Sequence, residues 1–388
     1  MNAPAPRVLL VEGSGRGFLS HYSHALALGL QRAGIEAQLL TGRRDELGDW
    51  TVPFHKQACL DAGRRGWCCV RRQIIETRPD IVHLQWVDNP FRALRFVRWA
   101  HGQGVRVVYT PHNILPHEKR WLMMPAYRLL YRMIDRVVAR DAYLAWALEE
   151  LLDTPGERLT LLPGSPNFLA LQSLQGRDEP RGDSPAPARD PGEHRLLFFG
   201  HGCLRKGLDR LLETVAGNRW PGTMHLVVAG EGVLYGIPDA LLETARRAMR
   251  ITLIDRYVAP REVAALFRDA DLLLMPYVKQ CKSPLLDLAA ALRLPVLRSD
   301  RVQGADFREG VHGRTFSHDD HAAMEQRLKQ TRWLTGVRDS LAAMDDPLAA
   351  IDRLARGHRQ LYLKVLANRI PGGDVHRVPD FLAPISEV

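Results

Sequence analysis

The chain alternates short apolar runs with longer stretches whose apolar positions recur at helical spacing. Arg7–Val11, RVLLV, is short, apolar and partly β-branched, which reads as a buried strand. Gly13-Ser14-Gly15-Arg16-Gly17 then turns the chain, and a helical pattern covers 21–33 before Gly34. Residues 35–41 read as a second strand. Strand, glycine-rich turn, helix and strand in this order open a doubly wound α/β sheet. Further strands are expected at Ile81–Leu84 and 105–109, with helices between them.

The pattern breaks at 175–194, QGRDEPRGDSPAPARDPGEH, where Pro, Gly, Asp and Arg displace apolar residues. Such a composition predicts an interdomain linker. The alternation then resumes. Strands are expected at 195–199, Met224–Ala229, 251–254, Leu272–Met275 and 295–298, and helices at Leu208–Ala216, 262–268 and 284–292. The expected architecture is α/β, two Rossmann-like domains (1–174 and 195–348) facing a cleft. A last helical stretch, 349–367 within the segment 349–388, is expected to cross back and pack on both.

Composition narrows this picture little, but charge does. Hydrophobic residues are 46% and charged residues 25% of 388, ordinary for a globular protein. Lys and Arg number 53 against 44 Asp and Glu, a formal charge of +9. A polyanionic partner is implied: nucleic acid, an anionic membrane surface or a phosphorylated substrate. Five cysteines (Cys59, Cys68, Cys69, Cys203 and Cys281) without metal-type pairs argue against a disulfide framework or a zinc site and suit a reducing cytoplasm. No apolar run approaches transmembrane length, and the first residues lack the pattern of a secretory signal.

The first turn, GSGRGF, departs from a dinucleotide-binding G-x-G-x-x-G, since Phe18 takes the last glycine position and 41–44 is basic. In the second half, Gly200-His201-Gly202 is followed by Arg205 and Lys206 and then a helix. Backbone N–H groups, a helix start and two cations can neutralise a diphosphate. Lys282 and Ser283 precede a further helix whose start can take another phosphate oxygen. After the 105–109 strand, His112, Asn113, His117 and Glu118 stand where ligands of open α/β sheets bind, with His112 and Glu118 the candidates for a general base. His83, at the end of IVHL, reads more simply as a satisfied core histidine. Asp269-Ala270-Asp271 reads as a strand boundary, and no metal is called for.

The segment FFGHGCLRKGLDRLL (198–212) resembles the diphosphate-binding stretch of the retaining GT-B glycosyltransferases of family 4. VVAGEG (227–232), ITLIDRYVAPREVAALFRDADLLLMPY (251–277) and DLAAALRLPVL (287–297) are similar to further segments of that family, in the same order. PDIVHLQW (79–86) and VRVVYTPHNILPHE (105–118) are similar to bacterial exopolysaccharide glycosyltransferases, the xanthan-type mannosyltransferases among them. The resemblance implies a GT-B fold and transfer of a sugar from a nucleoside-diphosphate donor, GDP- or UDP-linked. Gly200, His201, Arg205, Lys206, Glu231, Val258, Lys282 and Ser283 would hold the donor. Gly15, Gly17 and Asn113 would lie on cleft loops. The acceptor would be a polyprenyl-diphosphate-linked saccharide bound by the first domain. The family's paired glutamates fall here on Cys281 and Leu288, with Asp287 one residue out of register. Xanthan-type relatives also lack the pair and are regarded as inverting, so both stereochemical outcomes stay open.

The stretch 119–140, KRWLMMPAYRLLYRMIDRVVAR, repeats Arg128, Arg132, Arg136 and Arg140 every fourth residue beside Trp121. On one helix these form a stripe suited to an anionic membrane, where each cation contributes about 1 kcal/mol. Clusters at 64–72 and 91–99 share this composition. Nucleic-acid signatures are missing. A noncatalytic GT-B-like protein binding lipid or a partner, and a sugar-nucleotide epimerase, are the alternative readings.

Overall fold

In the computed structural model, residues 5–61, 63–87, 89–112, 120–164, 166–169, 184–304, 307–344 and 346–367 are described. The first domain runs β1 (Arg7–Val11), α1 (Gly17–Arg32), β2 (Glu36–Gly42), β3 (His55–Leu60), α2 (Arg64–Thr77), β4 (Ile81–Leu84), α3 (Pro90–Gly102), β5 (Arg106–Tyr109), α4 (Arg120–Met133), β6 (Arg136–Ala139), α5 (Ala142–Leu152) and β7 (Leu159–Leu161). Its seven strands are ordered β3-β2-β1-β4-β5-β6-β7, and every pairing is parallel. Side chains of α2 to α5 bury one face of the sheet, and α1 buries the other.

The second domain runs β8 (His194–Phe199), α6 (Leu208–Ala216), β9 (Met224–Ala229), α7 (Asp239–Ala248), β10 (Arg250–Ile254), α8 (Pro260–Asp269), β11 (Leu272–Met275), β12 (Cys281–Lys282), α9 (Leu285–Ala291), β13 (Val296–Ser299), β14 (Val302–Gln303), β15 (Gly313–Phe316), α10 (His321–Lys329) and α11 (Trp333–Ala342). Six strands form its main sheet, ordered β10-β9-β8-β11-β13-β15. Parallel strands covered on both faces explain why β9 and β11 are buried along their whole length rather than alternating, with His225 of β9 the one polar residue in the two.

The last helix, α12 (Pro347–Ala367), returns to the first domain and completes the α1 side of its core. Arg32 of α1 makes a two-pronged ion pair with Asp352, at 2.8 and 2.9 Å. Gly29 lets the helices touch, since a methyl group there would lie 2.9 Å from the Ile351 side chain. Tyr362 donates or accepts at His83 Nδ1, 2.7 Å away, while His83 Nε2 meets Thr110 Oγ1 at 2.7 Å. His83 is therefore a satisfied core residue, and α12 holds it so.

Three expectations need correction. The arginine repeat at 128–140 is not one helical stripe. Asp135 ends α4 by taking the Val107 amide at 2.8 Å and pairing with Arg106 and His101, and β6 begins at Arg136. Arg128 and Arg132 both face Asp153, at 3.3 and 3.8 Å, and Arg136 bonds the Glu157 carbonyl. The side chain of Trp121 lies outside the described residues.

The linker prediction fails at its second end. Residues 184–193 belong to the second domain, with Ala186 in its core. Arg195, 2% exposed, reaches back to the Pro187 carbonyl at 3.0 Å and to Glu193 at 2.7 Å. Glu193 also receives His225 at 2.9 Å. A stretch that looks too polar to fold is fixed by a buried charge network. Residues 170–183 lie outside the described part.

Cysteine pairing is the third correction. Cys59 of β3 and Cys69 of α2 form a disulfide, and their Cα atoms are 6.8 Å apart. The sequence reading missed it because Cys59 and Cys69 lie ten residues apart in no recognisable pairing motif, and three further thiols stay free. Among the described residues, no helix is long and apolar enough to cross a membrane.

Candidate functional site

The carboxyl ends of the two sheets face each other across a cavity of about 300 Å³. Gly17, Phe18, His21 and Glu46 line it from the first domain. Gly200, His201, Glu231, Tyr257, Val258 and Leu288 line it from the second. Contacts across the cleft frame this space. The Tyr257 hydroxyl donates to Glu46 at 2.7 Å, and the Arg16 guanidinium lies 5.4 Å from the Tyr257 ring centre. Arg261 stacks 5.0 Å from the centre of Trp50. Lys282 reaches Asp141, the residue that caps α5.

The turn after β8 is cationic. Gly200 has φ +126°, and a methyl group there would lie 2.1 Å from Lys206 Nζ. A side chain at 200 would expel the ammonium, so glycine is what lets Lys206 fold back over the strand end. Gly207 ends the short 3₁₀ turn Leu204–Lys206 at φ +70°, with room for no side chain against the Pro276 carbonyl, 1.9 Å from where a methyl would sit. Burial lowers the Lys206 pKa from the ordinary lysine value. Among the described residues, no carboxylate lies within ion-pair distance of that ammonium. The backbone contributes less than the sequence suggests. The Gly200 and Gly202 amides already donate to the Ala229 and Glu231 carbonyls, at 2.9 and 3.0 Å.

The turn after β1 is the reverse case. Glu12, fully buried, accepts the Gly15 amide at 3.0 Å, the Ser14 amide at 2.5 Å and the Thr41 hydroxyl at 2.9 Å. Its carboxylate fills the hollow that a phosphate takes in a dinucleotide-binding turn. Burial still raises its pKa above the ordinary value, against the opposing effect of these donors. Gly15 is packed under the chain after β2, while Gly17 donates to Glu46 and lines the cavity.

His112 is half-buried beside the cavity, its ring edge-on to Tyr22 and Phe18 with centres 4.7 and 5.7 Å away. Nε2 lies 3.3 Å from Gln85 Oε1. Arg140, at the end of β6, donates to the His112 carbonyl at 3.4 Å. Burial and this guanidinium push the imidazole pKa well below its usual value. The ring is therefore neutral at pH 7. Asn113, His117 and Glu118 lie outside the described residues.

Other sequence candidates are distributed unevenly. His201 and Glu231 are exposed at the cavity mouth, and Val258 is part of its apolar wall. Arg205 is exposed, with its carbonyl accepting the Val278 amide at 2.9 Å. Ser283 Oγ lies 3.3 Å from the Tyr277 hydroxyl, and α9 behind it spans only seven residues. Lys282 is committed to Asp141 and not to the cavity.

Glu12, Glu46 and Tyr257 escaped the sequence reading, which took Arg140 only as part of a basic stripe. Each has at least one partner distant along the chain: Thr41 for Glu12, the His112 carbonyl for Arg140, and Tyr257 for Glu46 across a separation of 211 residues. Hydrogen bonds from His21, Tyr257 and Gly17 outweigh the effect of burial and lower the Glu46 pKa, which keeps it ionised. The assembled chemistry is a cavity lined by two domains, with the Lys206 ammonium behind its lining residue Gly200 and the neutral His112 imidazole against its lining residue Phe18.

Two domain families match the chain. Residues 19–164 match the glycosyl transferase 4-like domain, and residues 193–331 match glycosyl transferases group 1. The chain is 26% identical over 319 residues to GDP-mannose:glycolipid 4-beta-D-mannosyltransferase of Xanthomonas campestris pv. campestris, covering 76% of this chain and 82% of that protein. Sucrose-phosphate synthase of Thermosynechococcus elongatus superposes with a TM-score of 0.64 at 16% identity, over 92% of this chain and all of its own. HepE of Anabaena, solved in complex with UDP, superposes with a TM-score of 0.62 at 14% identity, over 93% and 99% of the two chains. These solved structures share the fold.

Proposed function

Since the chain belongs to the family-4-like GT-B glycosyltransferases and is a hexosyltransferase, we propose that its donor is a nucleoside-diphosphate sugar held by the turn after β8. The acceptor in this reading is a lipid-linked saccharide, polyprenyl-diphosphate-linked, in bacterial exopolysaccharide or surface-glycan synthesis. The observation that carries the donor assignment is the half-buried Lys206 ammonium folded over Gly200, a lining residue of the cavity, with no carboxylate at ion-pair distance among the described residues. As the glycosidic bond breaks, charge grows on the departing diphosphate. Lys206, with Arg205 beside it, stabilises that charge more in the transition state than before it. This plan uses no metal.

Deprotonation of the acceptor hydroxyl falls to His112 in an inverting transfer, because its unprotonated imidazole stands against the cavity wall at Phe18. The name of the Xanthomonas relative makes GDP-mannose the first donor to try and a glycolipid the first acceptor. Exposed Phe91, Arg92, Arg95 and Arg98 on α3, with exposed Arg64, Arg65 and Arg72 on α2, give the first domain a basic, partly aromatic surface. In this reading it rests on the inner, cytoplasmic leaflet, where the acceptor is anchored.

The test is a thermal-shift series with GDP, UDP, ADP, TDP and their sugar conjugates. A ligand bound only by the folded chain raises its melting temperature. One diphosphate should do so in the wild type and lose the effect in Lys206→Ala. A shift that survives in Lys206→Ala removes that residue from the donor site. No shift with any of the series at millimolar concentration sinks the donor assignment.

A further inference from the structure

On the rim of the cleft, the first turns of α5 present two large rings to solvent. Tyr143 is 62% exposed and Trp146 is 52% exposed. Three residues apart on one helix, they share a face. Their ring centres are 5.8 Å apart and their planes are tilted by 36°. Helix α5 starts at the carboxyl end of β6, the side of the sheet on which the cavity opens. The surface is continuous with the cleft. Asp141 caps α5 and takes the Lys282 ammonium of the second domain, which itself lies 5.9 Å from the Tyr143 ring centre.

The charge beside these rings points to the kind of occupant. Glu149 and Glu150, one turn further on, are both exposed. Two carboxylates disfavour an anionic lipid surface, which attracts cations instead. They are good acceptors for hydroxyl groups. Flat apolar faces edged by acceptors match a pyranose ring, which has an apolar C–H face and a rim of hydroxyls.

We propose that Tyr143 and Trp146 form a saccharide platform on which a pyranose unit of the acceptor glycan stacks, outside the cavity that holds the donor. The platform rests on the glycosyltransferase reading for the identity of its ligand as acceptor, and on the geometry alone for its binding of sugar. Both rings are preformed, so stacking orders no further part of the chain. The platform fixes where the glycan runs, and the reacting hydroxyl is presented to the cleft by the remainder of the chain of sugars.

Saturation-transfer NMR on the full chain tests this with cellotriose, mannotriose, maltotriose and chitotriose as probes. The wild type should bind at least one of them. Trp146→Ala should weaken that binding about tenfold, as the loss of one stacked ring does. Trp146→Phe should keep most of it, and Tyr143→Ala with Trp146→Ala should abolish it. Both positions are exposed, and the nucleotide-induced thermal shift of each variant reports an intact donor site. The proposal is overturned if the wild type binds none of the probes or if the double variant binds as well as the wild type. It is equally overturned if the double variant loses co-sedimentation with phosphatidylglycerol vesicles while keeping the saccharide, which makes the rings a lipid contact. Sugar binding without any nucleotide shift keeps the platform and removes the donor assignment; a nucleotide shift without sugar binding does the opposite.

Discussion

The turns after β1 and β8 occupy equivalent places in two similar sheets and have opposite electrostatics. After β1 a buried carboxylate, Glu12, sits among donors that belong to the chain itself. After β8 a half-buried ammonium, Lys206, lies over a glycine, and among the described residues no carboxylate is within ion-pair distance of it. The first turn has its anion built in. Among the described residues the second lacks one, and a charge partly withdrawn from water without a partner favours a complementary ligand. The contrast teaches that topology supplies two candidate phosphate sites, and that single side chains decide which of them remains open.

Removing the charge at the open turn should have the largest effect. Lys206→Ala should lower kcat/KM by about 10²–10³-fold, the size expected for a lost transition-state donor. Lys206→Arg should recover part of it, since the charge survives with altered geometry. Initial rates against donor concentration decide this, and an undiminished kcat/KM would end the contrast between the turns. At the closed turn the same deletion should act on folding. Glu12→Ala leaves two amides and a hydroxyl buried without their acceptor, and should cost about 2–4 kcal/mol in denaturant unfolding. Its donor-induced thermal shift should persist. Loss of donor response without loss of stability would exchange the roles of the two turns.

A buried acid inside the second domain sharpens the point that paired charge serves stability. Hydrogen bonds from Arg195 and His225 overcome the effect of burial and hold Glu193 at about 2, below its ordinary 4.5. A depressed acid stabilises fully above its unfolded value, and that contribution disappears as pH falls from about 4.5 through about 2. Unfolding free energy should therefore drop by a few kcal/mol over this window, and Glu193→Gln should flatten the drop. A parallel acid limb in wild type and variant would deny Glu193 that part. The smallest effect belongs to the contact between domains. Tyr257→Phe removes one hydrogen bond to Glu46, worth about 1 kcal/mol, and should raise donor KM severalfold with kcat nearly unchanged. A changed kcat with constant KM would place Tyr257 in the chemical step instead.

Much of this architecture is legible in the sequence because the period of apolar residues is local information. Arg7–Val11, Leu208–Ala216, Met224–Ala229 and Leu272–Met275 appear with the predicted bounds. The helix expected over 119–140 does not, because Arg128 to Arg140 keep a four-residue rhythm while Asp135 draws the chain into β6 through residues of β5 and α3. The polar run at 184–193 reads as linker until Arg195 and His225 are placed around Glu193. In the site, Gly200 and Lys206 announce themselves by spacing. Glu12 is invisible to spacing, since the turn conformation that aims the Ser14 and Gly15 amides at it is not written in the pattern, and Thr41 reaches it only once β1 and β2 are side by side. Charge patterns along a sequence locate cations; only tertiary structure says which of them are already neutralised.

The return of α12 to the first domain also has a consequence for synthesis. Arg32 and its partner Asp352 are 320 residues apart, and the second domain is made between them. At ordinary elongation rates the α1 face around Gly29 stays uncovered for roughly a quarter of a minute to a minute on the ribosome. During that interval the second domain, whose strands all lie between His194 and Phe316, has everything it needs to fold. The first domain to be translated is thus the last to be finished, and a nascent chain stalled before Pro347 presents a bare apolar groove to the chaperones around it.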